Sequence, residues 1–312
     1  GFEALGALLL WVAWAPRLGV AQGLYCAVFH SVSAFCNAGF STWSMGLVGS
    51  REDVLVNLVV MGLITVGGFG FLATAELRDH LLKRDSRGRL SVHTRAVLFT
   101  SLGLVLGGAL AIALFEWDNP RTLGALSGTG RILASFFQSV TCRTAGFNTV
   151  DISALRDETH QMMMILMFVG GAPGSTAGGI KVTTFAILML ATWAQLTGAP
   201  DVEISGRRIA PRRILQALAM TVVALLSVLT CTTILNTLEA KPYSALLFET
   251  ISALGTVGLS KGITPSLSPA SKTLLCLVMF AGRVGPLTLA SSLVFRTSRS
   301  TGRRPEGEVF LG

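Results

Sequence analysis

One stretch recurs three times in this chain. It is too short to cross a membrane, yet runs that can cross one flank it. Phe248-Glu-Thr-Ile-Ser-Ala-Leu-Gly-Thr-Val-Gly-Leu-Ser260 is matched without a gap by Phe29-His-Ser-Val-Ser-Ala-Phe-Cys-Asn-Ala-Gly-Phe-Ser41. With a one-residue slip it is matched again by Phe136-Phe-Gln-Ser-Val-Thr-Cys-Arg-Thr-Ala-Gly-Phe-Asn148. The shared glycines, Gly39, Gly146 and Gly258, stand 107 and 112 residues apart. That period is too long for a solenoid repeat. It suits a helix, a re-entrant loop, a second helix and their connections.

Composition agrees. Of 312 residues, 51% are hydrophobic and 13% charged, and the mean hydropathy is +0.63. Soluble domains carry about 25% charged residues, so the deficit and the long uncharged runs point to an integral membrane protein. The net charge of +8 is not a nucleic-acid signature, because the basic residues sit in loops between apolar runs without interleaved aromatics. The five cysteines, Cys26, Cys36, Cys142, Cys231 and Cys276, include no Cys-x-x-Cys pair and read as small apolar fillers.

Taken in order, a short apolar helix (2–14) precedes the first re-entrant segment, about 24–41. At 13 residues it is short of the ~20 a span needs, so the natural chain is expected to extend upstream. Residues 54–75, 96–115, 214–238 and 271–295 read as spans, with further re-entrant segments at about 131–149 and after 238. Between Gln161 and Pro200 the only charge is Lys181. One straight helix there would be about 60 Å long, twice the hydrocarbon core, so it must break or project. Loops 78–95 and 198–213 and the C-terminal tail (Arg296, Arg299, Arg303, Arg304) are basic and are expected to face the cytoplasm of a cell membrane. All re-entrant segments then enter from outside, as parallel repeats about an axis along the membrane normal. The division is 1–84, 85–197 and 198–312, an all-α architecture of helix–pore loop–helix repeats.

Non-helical backbone at membrane depth survives only when buried in protein or lining water. Three such segments around an axis present their free carbonyls to it, and carbonyls can replace a monovalent cation's hydration shell. The candidates are Asn37, Ala38 and Gly39; Thr144, Ala145 and Gly146; and Thr256, Val257 and Gly258. A glycine kink in a packed helix accounts for one copy better than for three in register. Phe40 and Phe147 read as packing residues, and His30 and Glu249 as polar groups satisfied by neighbours.

Gly170-Gly-Ala-Pro-Gly-Ser-Thr-Ala-Gly-Gly179 holds five glycines and one proline. A continuous helix there would be penalised by about 8 kcal/mol, so the helix opens. It restarts near Ile180, placing Lys181 and a positive helix end under the carbonyl loops. The expectation is a movable gate built from Gly174, Ser175, Thr176, Ala177, Gly178, Gly179 and Lys181. A phosphate-binding loop is disfavoured, because Ile180 separates Gly179 from Lys181 and no strand precedes. Arg283, inside the last apolar run, is expected to donate to carbonyls of the 172–179 loop. An intramembrane hydrolase lacks its companions: His30, His80, His93 and His160 have no Ser or Asp set at depth. An ammonium channel, the other alternative, would want histidines lining its pore.

Together with Met279-Phe-Ala-Gly-Arg-Val-Gly-Pro-Leu-Thr-Leu-Ala290, these motifs resemble the Trk/Ktr/HKT superfamily of potassium transporters, closest to the membrane subunit of its Ktr branch. The resemblance covers the whole chain. It implies four pseudo-fourfold repeats, of which Gly39, Gly146 and Gly258 match the second, third and fourth. It also implies K⁺ as the transported ion, no resident cofactor and no enzymatic activity. Several members couple K⁺ to Na⁺. The partners implied are a second copy of the chain, a cytosolic nucleotide-binding (RCK-type) regulatory ring and membrane lipids. The first repeat has no counterpart in this sequence, which puts transport by these residues alone in doubt.

Overall fold

The computed structural model describes residues 1–82 and 90–285, and these are almost entirely helical. Helices α1 (Phe2–Leu18), α2 (Val20–Phe35) and α3 (Val54–Gly68) form the first unit, extended by α4 (Phe71–Leu82). The second is α5 (Val92–Glu116), α6 (Gly128–Thr141) and α7 (Asp157–Phe168), followed by α8 (Val182–Thr197). A two-stranded hairpin, β1 (Glu203–Ile204) with β2 (Arg207–Arg208), leads to α9 (Pro211–Leu238), α10 (Tyr243–Leu254) and α11 (Pro269–Val284).

Each unit therefore runs long helix, short helix, loop, helix. The 25 residues of α5 and 28 of α9 are long and apolar enough to cross a membrane. In each unit the end of the first helix holds the start of the third. Arg17 pairs with the α3 cap Asp53 at 3.8 Å. Glu116 accepts the Arg156 N–H at 2.7 Å, just before α7, and Glu239 accepts the Ser268 N–H at 2.7 Å, at the α11 cap. Neighbouring units join in one sense, α3 packing on the next short helix α6, and α7 on α10.

The cores follow that joint. Phe147 (1% exposed) packs in a cluster with Trp14, Val60 and Phe137, so the residue after Gly146 plugs into the preceding unit. Leu259 does the same with Met163 and Leu166. Phe40, expected to pack, is instead 70% exposed. The cores that take up Phe147 and Leu259 come from the unit before, and Phe40 belongs to the first unit described.

Other expectations change too. Residues 54–75 do not form one span: α3 and α4 meet at 109° across Phe69 and Gly70. Gly70 takes φ +78°, and its backbone lies against the Pro173 carbonyl, an approach that leaves no room for a Cβ. The first helix continues through Pro16 to Leu18. The 161–200 run breaks over 169–181, and helix resumes at Val182, near Ile180 as expected. The last helix is described to Val284. Residues 286–295 of the expected span, including Pro286–Ala290 of the family motif, the tail arginines and part of loop 78–95 lie outside the described residues.

Candidate functional site

The three glycine loops leave the C-terminal ends of α2, α6 and α10, the short helices of the units. Each loop carries the same backbone signature. Asn37, Thr144 and Thr256 have φ of +50°, +73° and +52°, and two residues later Gly39, Gly146 and Gly258 have φ of +70°, +81° and +93°. The residue between has negative φ each time. Ser205 is the one other non-glycine residue with positive φ among the described residues. A β-branched threonine in that region is strained, and such strain persists only where the surroundings impose it.

Alternating handedness turns successive N–H groups to one side and carbonyls to the other. The N–H groups turn back onto the short helices. Ala38 donates to Ser33 O (2.9 Å), Ala145 to Thr141 O (3.0 Å) and Val257 to Ser252 O (2.8 Å). Among the described residues, none donates to the carbonyls of the three triplets 37–39, 144–146 and 256–258. Side chains of the short helices brace the strands that leave: Ser33 Oγ on Phe40 O (2.8 Å) and Thr141 Oγ1 on Phe147 O (2.6 Å). His30 Nε2 meets Ser41 Oγ at 3.0 Å, and at the equivalent place Glu249 accepts from Ser260 Oγ at 2.6 Å. Both side chains are thus held by neighbours.

The loops converge. A methyl group built on Gly39 would lie 2.5 Å from the Ala145 carbonyl, and one on Gly146 would overlap the Val257 carbonyl. Each loop touches the next in chain order, carbonyl against glycine. At Gly39 and Gly146 a side chain larger than hydrogen has no place.

The glycine-rich loop packs against the three loops. Its base is pinched by backbone pairing, with Gly170 N–H on Ile180 O (2.8 Å) and Val182 N–H on Gly171 O (3.0 Å). Its crown reaches the first residue of two triplets, and its base reaches the first residue of the third. Asn37 Nδ2 donates to Thr176 Oγ1 at 2.9 Å. Gly178 lies so close to the Thr256 side chain that a Cβ would collide, and a Cβ on Gly170 would sit 3.3 Å from Thr144 Cγ2. Gly174 and Gly179 take φ of +71° and +67°, and Ser175 Oγ accepts the Ala177 N–H at 3.2 Å. Two cations hold the crown by its carbonyls: Lys181 Nζ donates to Ala177 O at 2.7 Å, and Arg283 Nη1 donates to Thr176 O.

Two parts of this arrangement escaped the sequence. The break between α3 and α4 is the loop's other anchor. Gly68 O accepts the Ala172 N–H (2.9 Å), Gly67 O accepts from Thr176 Oγ1 (3.1 Å), and Phe71 N–H donates to Gly174 O (3.2 Å). The run Gly67-Gly-Phe-Gly70 was the available signal. The second is Arg143, next to Thr144 and 9% exposed. It donates to Ser101 Oγ at 3.0 Å and to Gly170 O at 3.4 Å, tying the 144–146 loop to the root of the glycine-rich loop. A charge inside a re-entrant segment marks such a site.

Residues 1–300 match the family model TrkH, described as cation transport protein. The chain is 40% identical over 310 residues to the Ktr system potassium uptake protein B of Bacillus subtilis, covering 99% of this chain and 68% of that protein. It is 34% identical to the potassium/sodium uptake protein NtpJ of Enterococcus hirae, covering 99% of this chain and 69% of the relative. The chain thus spans about two thirds of the length of these relatives. The crystal structure of the potassium transporter TrkH from Vibrio parahaemolyticus superposes with a TM-score of 0.74 at 19% identity, over 95% of this chain and 62% of that one. The protein is an all-α membrane protein with the TrkH fold and belongs to the TrkH family of cation transport proteins, transporters rather than enzymes.

Proposed function

We propose that this chain supplies three sides of a K⁺ pathway, selective through the backbone carbonyls of 37–39, 144–146 and 256–258 and gated by the loop 170–181. The observation that carries this reading is the set of unbonded carbonyls on three converging loops of alternating handedness. Carbonyl rings of this kind select by replacing water around the ion. The C-terminal ends of α2, α6 and α10 add partial negative charge toward the same axis. The loop 172–179, under every triplet, is the closed gate. Lys181 and Arg283 hold its carbonyls and set positive charge against cation passage.

In this reading the segments 1–84, 85–197 and 198–312 are the second to fourth repeats of a four-repeat pore, and the basic loops face the cytoplasm. A cytosolic nucleotide-binding ring docks there, in line with the word "system" in the relatives' names, and the chain pairs with a second copy on that ring. Na⁺ enters as a coupled or competing ion, as the name of the Enterococcus relative suggests. The test is ⁸⁶Rb⁺ uptake into liposomes holding the full-length protein. K⁺ competing far better than Na⁺ supports the reading, and absence of cation flux under any regulator condition overturns it.

A further inference from the structure

Two adjacent grooves open on the outer face of α5, and they share one mouth. The larger, about 610 Å³, runs between α5 and the α3–α4 bend along Phe69, Leu102 and Val105. The smaller, about 300 Å³, runs between α5 and α8 along Phe185, Met189 and Leu190. Arg95, Phe99 and Ser205 line both. Phe99 stands between them as a partition, 73% exposed. From Arg95 to Val105 is ten residues of α5, about 15 Å, or half the hydrocarbon core. The grooves therefore reach from the Arg95 end of the span to near its middle.

Charge identifies the occupant. The Arg95 guanidinium has no hydrogen-bond or ion-pair partner among the described residues, although it lies at the rim of two apolar grooves. Ser205, at the tip of the β1–β2 hairpin, brings a hydroxyl to the same mouth, and Arg207 is exposed beside it. Basic pockets between membrane helices on the cytoplasmic side bind anionic lipid headgroups. Two parallel apolar grooves under one basic mouth fit two acyl chains under one headgroup.

We infer that α5 carries a binding site for an anionic diacyl phospholipid, its phosphate on Arg95 and Ser205 and its two chains on either side of Phe99. The leaflet is the one at the Arg95 end of α5, cytoplasmic in the topology proposed above. The inner end of the larger groove is polar, lined by Ser101 and Arg143. Because Arg143 also bonds Gly170 O, a seated chain lies one side chain away from the root of the glycine-rich loop. Binding does not depend on ion conduction, so the two readings fail separately.

The test is native mass spectrometry of the full-length protein after exchange into phosphatidylglycerol or phosphatidylcholine nanodiscs, with thermal melting in the same lipids. Phosphatidylglycerol is expected to stay bound through detergent extraction and to raise Tm, and phosphatidylcholine is not. Arg95→Gln is expected to lower retention about fivefold, the share of one surface arginine on an anionic lipid, and Arg95→Lys to restore most of it. Leu102→Trp, which fills the larger groove and leaves the charge, is expected to lower retention as well. Equal retention of both lipids, retention unchanged in both Arg95→Gln and Leu102→Trp, stabilisation by inorganic phosphate alone, or a single-chain lysophosphatidylglycerol held as tightly as the diacyl form overturns the inference.

Discussion

At the residue scale, Gly146 carries the constraint most directly. Gly146 has φ of +81°, and the Val257 carbonyl occupies the space a side chain would need. Alanine there costs about 1–2 kcal/mol in backbone strain alone, before the overlap pushes the neighbouring loop. Gly146→Ala is therefore expected to cut Rb⁺ uptake at least about tenfold, while Gly103→Ala, where the added methyl meets open space, leaves it unchanged. Equal flux from both variants would contradict the carbonyl axis. Outside the membrane, Glu52 accepts the Ser127 N–H at 3.0 Å. That bond from the α6 cap holds its carboxyl below the usual 4.5. A depressed carboxylate stabilises the fold above its unfolded value, and the contribution disappears as pH falls through the folded value. Wild type is thus expected to melt above Glu52→Gln at neutral pH, with the difference closing below about pH 4.5. A difference that grows in acid would contradict the assignment.

At the element scale, the glycine-rich loop is held by two kinds of contact. Backbone pairs fix its base, and side chains of Asn37, Lys181 and Arg283 fix its crown. A hydrogen bond from a charged donor contributes about 1.5–3 kcal/mol. Arg283→Ala is expected to shift the closed gate toward open by roughly ten- to a hundredfold at most, read as raised basal Rb⁺ uptake, with Arg283→Lys between it and wild type. Flux at or below wild type in a folded Arg283→Ala protein would contradict that role. Packing gives an independent check. A Cβ on Gly108 would collide with Leu166 at 2.7 Å and with Ser139. Gly108→Val is expected to lower stability by about 1–3 kcal/mol in a thermal melt.

The loops could be read from sequence because glycine recurs in register between uncharged runs. The strain at Thr144 and Thr256 could not, since threonine has no preference for positive φ and only the assembled ring imposes it. The bend at Phe69–Gly70 was missed for a related reason. Hydropathy reports how long a run is, not which way it points, and glycines serve close packing and left-handed turns alike. The hairpin at 203–208 is two residues per strand, too short for any periodicity to register.

At the scale of the whole molecule, function needs the units together. α3 meets α6 and α7 meets α10, so these two short helices are each gripped by the unit before, and that joint brings the carbonyl triplets together. The glycine-rich loop belongs to the second unit but is anchored by Gly67 and Gly68 of the first and presses on Thr256 of the third. Its contacts therefore join all three units at the axis. The central claim is that this axis conducts K⁺ and that the loop blocks it. The direct measurement is ⁸⁶Rb⁺ uptake by the full-length protein in liposomes, with and without residues 172–178, at matched protein incorporation. The account predicts higher uptake on deletion, still inhibited by K⁺ more than by Na⁺ because the carbonyl loops remain. Unchanged uptake in a folded deletion variant would contradict the gate, and uptake that no longer distinguishes K⁺ from Na⁺ would contradict selection by the carbonyl loops.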